Sequence, residues 1–413
     1  MTVELPEIPP HWAFPSPPRA IVWLALFIAF MLTGAALTLM TWPKGEPTGS
    51  AWFWTRLLVF PALAWCVAFG LRLHYYDEET DRLRAEQEAL EADRIQAVEF
   101  AREPLAVLGS AYLCAMGAYG VASSIANEKQ SALKARVPRP HAEAVRHTAL
   151  ASIDDEAAGG RYRALFLALL GELDDVLNDL PQRIPFDVRL QVPADTDRET
   201  LLETWKRCWE QLGYPQTSAS LLDVAQGLMA TDEWLDIKGG PALEKLRLFV
   251  AVQLYEDPPE NSAEAGVALL LGWAPLAERL QLRSVALLHR PVESAPAEFA
   301  ESIPTALLWG GVSAEEIKGV WQAGLTGQDK PSLVRGATDL GLQVAGEAAH
   351  KGVHDIDLAL GKPGAASGWL AVALATEHAW QSGEPQMIAA REHALSLAVV
   401  RPTAPANEME MEQ

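Results

Sequence analysis

Cysteine is scarce: Cys66, Cys114 and Cys208 are the only three in 413 residues. Well separated, they form neither a disulfide framework nor a thiolate metal site, and such usage fits a reducing compartment. Positive charge is also in deficit, with 33 Lys and Arg against 54 Asp and Glu and a net charge of −21. No Lys/Arg cluster offsets it, so a phosphate backbone would be repelled, which argues against nucleic acid as a partner. Long low-complexity tracts are missing too. A chain 49% hydrophobic and 21% charged has the composition of a folded protein.

The familiar catalytic and cofactor motifs are absent as well. His350 and His354 lie four apart in AHKGVHDID, beside Asp355 and Asp357. On a helix that spacing would offer two imidazoles to a metal, but Gly352 intervenes and there is no HExxH pattern. A solvated loop is expected there, and no metal. LGKPGAASG (360–368) has the GK pair of a phosphate loop, but the glycine required five positions earlier is Ile356. Ser367 lacks the GxSxG turn of a hydrolase nucleophile. Cys208, mid-helix between Arg207 and Trp209, has no neighbour that would stabilise a thiolate and reads as core packing. No cofactor is expected.

What the chain does have is two apolar runs, residues 20–42 and 57–73, close to the ~20 apolar helical residues that span a bilayer. The connecting turn, PKGEPTGS, is short and polar. Trp42, Trp52, Trp54, Tyr75 and Tyr76 sit where interfacial anchors belong. The preceding residues 1–19 are Pro-rich and acidic, unlike the basic start of a cleavable signal, so an uncleaved transmembrane hairpin (20–73) is expected. Arg19 precedes the first run and Arg72, Arg82, Arg84 and Arg94 follow or end the second, whereas the turn side carries Lys44 and Arg56. That bias places both ends, and the large domain, in the cytoplasm. Residues 74–100 read as a charged helical linker with an apolar stripe of Leu83, Leu90 and Val98.

A third apolar stretch, 104–126, is rich in Gly, Ala and Ser, and LAVLG reads as a buried strand entering a glycine-bearing loop. Were it a third span, the large domain would lie on the opposite side. Beyond it, helix and strand patterns alternate. Residues 161–178 read as one helix. PFDVRLQVP is a strand with Phe186, Val188 and Leu190 on one face, and ETLLETWKRCWEQLG is a helix ended by Gly213. KLRLFVAVQLYE, EAGVALLLG and RSVALLHRP are buried strands. Such alternation indicates an α/β class with helices layered on sheets.

Four segments in order carry a family resemblance: LAVLGS, SAEAGVALLLG (262–272), VWQAGLTGQD (320–329) and DLALGKPGAASGWLAVALA (357–375). The last three resemble the EGAAALVL-like strand, the EAHGTGTxxGD segment and the NIGHTEAASG segment of the β-ketoacyl synthase branch of the thiolase fold. The resemblance covers residues 101–402 and implies a thiolase-like layered α/β domain, with 403–413 a disordered acidic tail. It also implies a lost activity. The histidines of the two motifs fall on Gly324 and Lys362, and no cysteine precedes EAGVALLLG on an elbow. These are degenerate active-site positions, and no catalytic residue is expected.

A triad-less thiolase-like domain on a membrane anchor resembles the type VI secretion lipase adaptor family. That likeness implies a pseudoenzyme that binds a phospholipase-like effector, and secretion spike proteins, at the bacterial inner membrane. A homodimer is a fold-level expectation. The alternatives are a remodelled enzyme acting on acyl-thioesters, with Lys362 binding a carboxylate or phosphate, and a membrane-tethered immunity protein.

Overall fold

The computed structural model describes residues 3–10, 12–127, 131–137, 144–153, 160–181, 183–223, 225–344 and 352–403. His350 and residues 404–413 of the acidic tail lie outside the described residues. The chain divides into two compact units, Glu4–Ala97, and Val98–Gln413 together with Met1–Val3.

In the first unit the two apolar runs are helical, and the helices Ala20–Thr41 and Ala51–Arg102 are long and apolar enough to cross a membrane. The second run and the charged stretch after it belong to one helix. Its one irregularity is a π turn at Thr55–Val59, and the cause is visible in the sequence. Pro61 has no N–H to donate, and the Phe60 N–H goes to the Thr55 carbonyl. The Arg56 carbonyl is left over and accepts the Thr38 hydroxyl of the first helix at 3.2 Å. Gly34 faces the Pro61 ring so closely that a methyl there would overlap it. Trp65 donates its indole N–H to the Trp23 carbonyl at 3.0 Å, and Phe27 packs edge-on to Trp65 at 5.2 Å.

The second unit is built on ten strands in one path. In chain order the first five are β1 (Leu105–Cys114), β4 (Phe186–Gln191), β5 (Ser218–Leu221), β6 (Leu246–Gln253) and β8 (Ala265–Trp273). The next five are β9 (Ala286–Leu288), β11 (Gly319–Ala323), β12 (Val353–Asp355), β13 (Gln386–Arg391) and β14 (Leu395–Pro402). The path runs β12-β11-β13-β14-β9-β1-β8-β6-β4-β5. Short strands complete the set: β10 (Val292–Ser294) pairs with β14, and β2 (Lys134–Arg136), β3 (Val145–Thr148) and β7 (Ser262–Ala263) form a small separate sheet.

Numbered within each group of five, both halves read 3-2-4-5-1. Strands 2, 3 and 4 are mutually parallel, and strand 5 is antiparallel to both of its neighbours. The fold is therefore two copies of one α/β repeat, joined antiparallel through β1 and β9.

Residues 104–126 do not form a third long helix: they hold β1 and a short helix, Val121–Ala126. β1 is buried on both faces, the reason its sequence is apolar without strict alternation. Leu105, Val107, Tyr112 and Cys114 face one core, and Ala106, Leu108, Ala111 and Leu113 the other. The parity changes because Leu108 is an extra residue opposite β8, between the pairs Val107–Leu271 and Gly109–Leu270.

One core encloses the helix Ser367–Ser382, whose first ten residues are all buried. The other lies under the helices Arg161–Glu172 and Arg198–Gln211. The single helix expected over 161–178 is interrupted at Leu173, separating Arg161–Glu172 from Asp174–Asn178. This second core centres on Trp205, which is fully buried and meets the Phe166 ring edge-on at 5.2 Å. Trp205→Ala is expected to lower stability by about 3–5 kcal/mol, read from the urea midpoint of the full chain in detergent.

Candidate functional site

Because strands 2 and 4 of each repeat run parallel, their C-terminal ends and the loops that follow share one edge, where open α/β sheets place their ligands. β4 ends there with Gln191, β11 runs into Gly324, and β13 runs into the tight turn 392–394 before β14. The buried helix Ser367–Ser382 also begins at this edge.

Glu392 occupies the centre. Its carboxylate accepts the Gly368 N–H at 3.1 Å, and the nearby Leu228 N–H and Gln191 amide favour its ionised form. The orientation of Gln191 is fixed by chemistry. The Trp369 indole can only donate, and it does so to Gln191 Oε1 at 2.7 Å, turning the NH2 toward Glu392. Gln191 and Trp369 are both almost fully buried. Two glycines make the room: a methyl at Gly227 would coincide with Glu392 Oε2, and one at Gly368 would stand 3.0 Å from Oε1. Burial pushes the Glu392 acid up to about 7, against the pull of these three groups.

A second carboxylate lies at the end of β11. Asp357 accepts the Gly324 N–H with both oxygens at 3.0 Å, and burial pushes it up to about 6. Gly324 has a positive φ of 70°. A methyl there would run into the Arg391 carbonyl, so this position has no space for a side chain.

Around these two acids stand paired charges. Lys330 bridges to Asp355 at 2.6 Å. Arg391 grips Asp329 with two hydrogen bonds, at 2.8 and 3.1 Å. Burial opposes ionisation of Asp329, but the Thr326 N–H and the Arg391 guanidinium outweigh it and hold its carboxyl below the usual range. Lys362 is fixed through its backbone: its N–H donates to the Asn261 carbonyl at 2.8 Å and its carbonyl accepts from Ala263 at 2.9 Å. Its side chain is exposed, and its charge is felt by Asp357. Gly324 and Lys362 thus meet only through Asp357.

His354 is not in a solvated loop. It lies in β12, buried, with its ring 4.5 Å from Trp321 and 5.5 Å from His378. Val353 and His354 pair with Val320 and Trp321 of β11, and this sheet pairing carries the imidazole into the interior. Burial, then the neighbouring His378, depresses its pKa to about 4. Cys114 and Cys208 are buried, and each thiol is placed to donate to a backbone carbonyl, of Gly117 and Arg163 respectively. Burial pushes both thiols up, Cys114 to about 11. Among the described residues no cysteine or histidine hydrogen-bonds to Glu392 or Asp357, and no group of three metal-ligating side chains converges.

A cleft of about 460 Å³ lies elsewhere in the first repeat. Trp209, Tyr214, Phe186 and Pro215 are among its lining residues, and none of the lining residues is charged. It can hold an apolar group but offers no acid–base chemistry.

Glu392 was not among the sequence candidates, and Asp357 entered only as a neighbour of the His350 and His354 pair. A lone Glu in a short turn has no motif. The signal that could have found it is the pair Gly227 and Gly368, each of which opens or precedes a helix and leaves a backbone donor uncovered.

No family model matches the sequence, and no curated protein matches it. Solved structures do. The ishigamide ketosynthase/chain length factor is 16% identical with a TM-score of 0.52, covering 73% of this chain and 100% of its own. The ketosynthase from module 1 of the bacillaene synthase of Bacillus amyloliquefaciens FZB42 is 13% identical with a TM-score of 0.55, covering 75% and 74%. The AntDE ketosynthase, in complex with its acyl-carrier protein AntF, is 12% identical with a TM-score of 0.52, covering 73% and 100%. At these identities the likeness shows the fold: a layered, thiolase- or ketosynthase-like α/β domain.

Two outcomes are expected from this geometry. Gly324→His does not restore an active-site imidazole but destabilises the chain by about 1–3 kcal/mol through the strained φ and the blocked space, read by thermal unfolding. His354→Phe keeps the ring contacts with Trp321 and His378 and removes a titration. The neutral imidazole of the folded state binds fewer protons than the unfolded one between about pH 6.5 and 4, so the native chain loses stability as pH falls through that window. The variant should lose less there, by on the order of 3 kcal/mol, in urea titrations at stepped pH.

Proposed function

We propose that this chain is a membrane-anchored, non-catalytic binding module that holds a phospholipase-like effector for type VI secretion. In this reading the two apolar helices sit in the bacterial inner membrane, with the large unit on the cytoplasmic side. The observation that carries the reading is Glu392. A carboxylate fills the space at the start of the buried Ser367–Ser382 helix, and the acids there are served by backbone and amide donors rather than by a thiol and imidazoles. The positive residues flanking the two helices support the orientation, and a charge-free cleft lined by Trp209 and Tyr214 offers a contact surface.

A second reading, a remodelled enzyme on acyl-thioesters, is favoured by one observation: Asp357 and Glu392 are acids raised to about 6 and 7, suited to proton transfer near neutrality. The full chain in native membranes separates the two. Capture of the neighbouring gene's product, no turnover of acyl-CoA and loss of effector export on deletion are expected. Thioester condensation or hydrolysis, or tight acyl-CoA binding abolished by Lys362→Ala, would overturn the adaptor reading. Protection of the producing cell, with export unchanged, would make the chain an immunity protein instead.

A further inference from the structure

The first unit holds a groove of its own, of about 530 Å³, between the helices Ala20–Thr41 and Ala51–Arg102. On the first helix its lining runs from Phe30 to Thr41 in steps of three and one, which is a single helical face. That stretch rises about 16 Å at ~1.5 Å per residue, close to half of a hydrocarbon core about 30 Å thick. The groove therefore has the length of one leaflet, from the turn end of the hairpin to the middle of the span. The two helices meet where Gly34 faces Pro61, and both residues border the groove. Phe60, in the opposite wall, is held edge-on by Trp52 at 5.8 Å.

The turn end of this groove is polar and carries charge of one sign. Thr38 and Thr41 give their hydroxyl protons to backbone carbonyls, at 2.8 Å to Gly34 and 2.7 Å to Leu37, so neither is left to donate to a ligand. Arg56 is half-buried, and no acid is among the lining residues. Its guanidinium has several N–H donors. Among the described residues its side chain makes one hydrogen bond, from Nη2 to Thr41 Oγ1 at 3.4 Å. Lys44 and Glu46 of the connecting turn are exposed and offset one another. A partly desolvated guanidinium at the head of an apolar slot is costly until an anion meets it.

We propose that this groove holds one acyl chain of an anionic glycerophospholipid from the turn-side leaflet, with the lipid phosphate on Arg56. The planar guanidinium can engage two phosphate oxygens at once. A basic residue between membrane helices at headgroup depth is suited to a lipid phosphate. The net charge of the lipid matters because nothing in the lining neutralises Arg56. A zwitterionic lipid brings its own cation to compete for the phosphate. An apolar helix seated in the groove would cover its walls and leave the guanidinium unpaired. This occupancy rests on the reading that the two helices sit in a bilayer, and it holds whether or not the large unit carries a client.

The test uses the full chain in detergent, with palmitoyl-oleoyl phosphatidylglycerol or phosphatidylcholine titrated in and bound lipid counted by native mass spectrometry. The wild type should keep one phosphatidylglycerol and bind it about tenfold more tightly than phosphatidylcholine. Arg56→Gln should lose that preference, and Arg56→Lys should keep part of it. Ala64→Phe, which puts a ring into the groove, should weaken both lipids. Arg72→Gln, at the other end of the span and outside the lining, should change neither. Equal affinity for the two lipids in the wild type overturns the site, and this measurement stands even if a variant does not fold. A preference unchanged in Arg56→Gln overturns it too, as do dimers that form in place of bound lipid and are lost in Ala64→Phe. Membrane residence is read separately. A chain that alkaline carbonate strips from membranes refutes the bilayer reading, whereas one that stays and shows no lipid preference refutes the groove alone.

Discussion

The large unit depends on one helix whose first ten residues are all buried. Ser367–Ser382 lies inside the apolar core, in contact with strands of both repeats. Alanines at 371, 373 and 375 keep its girth small, and Trp369, stacked 4.6 Å from Phe249, closes its first turn. A helix so enclosed cannot leave its opening N–H groups to water. The chain must supply an acceptor from within, and it does so with Glu392, a carboxylate of the same repeat that lies at the seam with the first. The site edge is therefore shaped by the same requirement that shapes the core.

The repeats are not equal around this seam. Between the third and fourth strands the first repeat has the seven-residue helix Met229–Leu235, and the second has the 16-residue helix Ser367–Ser382. The central layer is thus mostly supplied by one half. The charged groups follow the same division of labour. Glu264, almost fully buried, is paired with Arg161 and accepts from the Leu150 and Tyr255 N–H groups. Burial opposes its ionisation, but these partners hold it below the usual range. By contrast Asp357 and Glu392, which have only neutral donors, are held above it. Paired acids fasten loops to the sheet, and acids without a cationic partner mark the edge where chemistry or binding can occur.

Much of this architecture was legible in residue patterns. β8 is apolar throughout, and β6 from Leu248 to Val252, because both faces are covered, and the sequence shows it directly. The β4 alternation of Phe186, Val188 and Leu190 places the same three residues against one core. The likeness to ketosynthase motifs pointed to the fold that the structural neighbours share. What local pattern could not show was whatever depends on pairing across distance. His354 looked solvated because Gly352 and two aspartates flank it, yet pairing with β11 buries it. The break at Leu173 follows Gly171 by two residues, but the leucines on both sides read as one continuous helix. Glu392 is a site residue only because Gly227 and Gly368, far away in sequence, leave it space.

The register of β1 has a consequence in time rather than in space. The first strand of the large unit is bonded to β8 and β9, the last strand of its own repeat and the first of the next. Both faces of β1 are apolar, and both of its edges are empty until residues 265–288 exist. At a synthesis rate of roughly 5–20 residues per second, that interval is on the order of ten seconds or more. During synthesis the chain therefore carries a sticky, unpaired strand directly behind its two apolar helices, and whatever shelters that strand on the ribosome also decides whether the two repeats ever close.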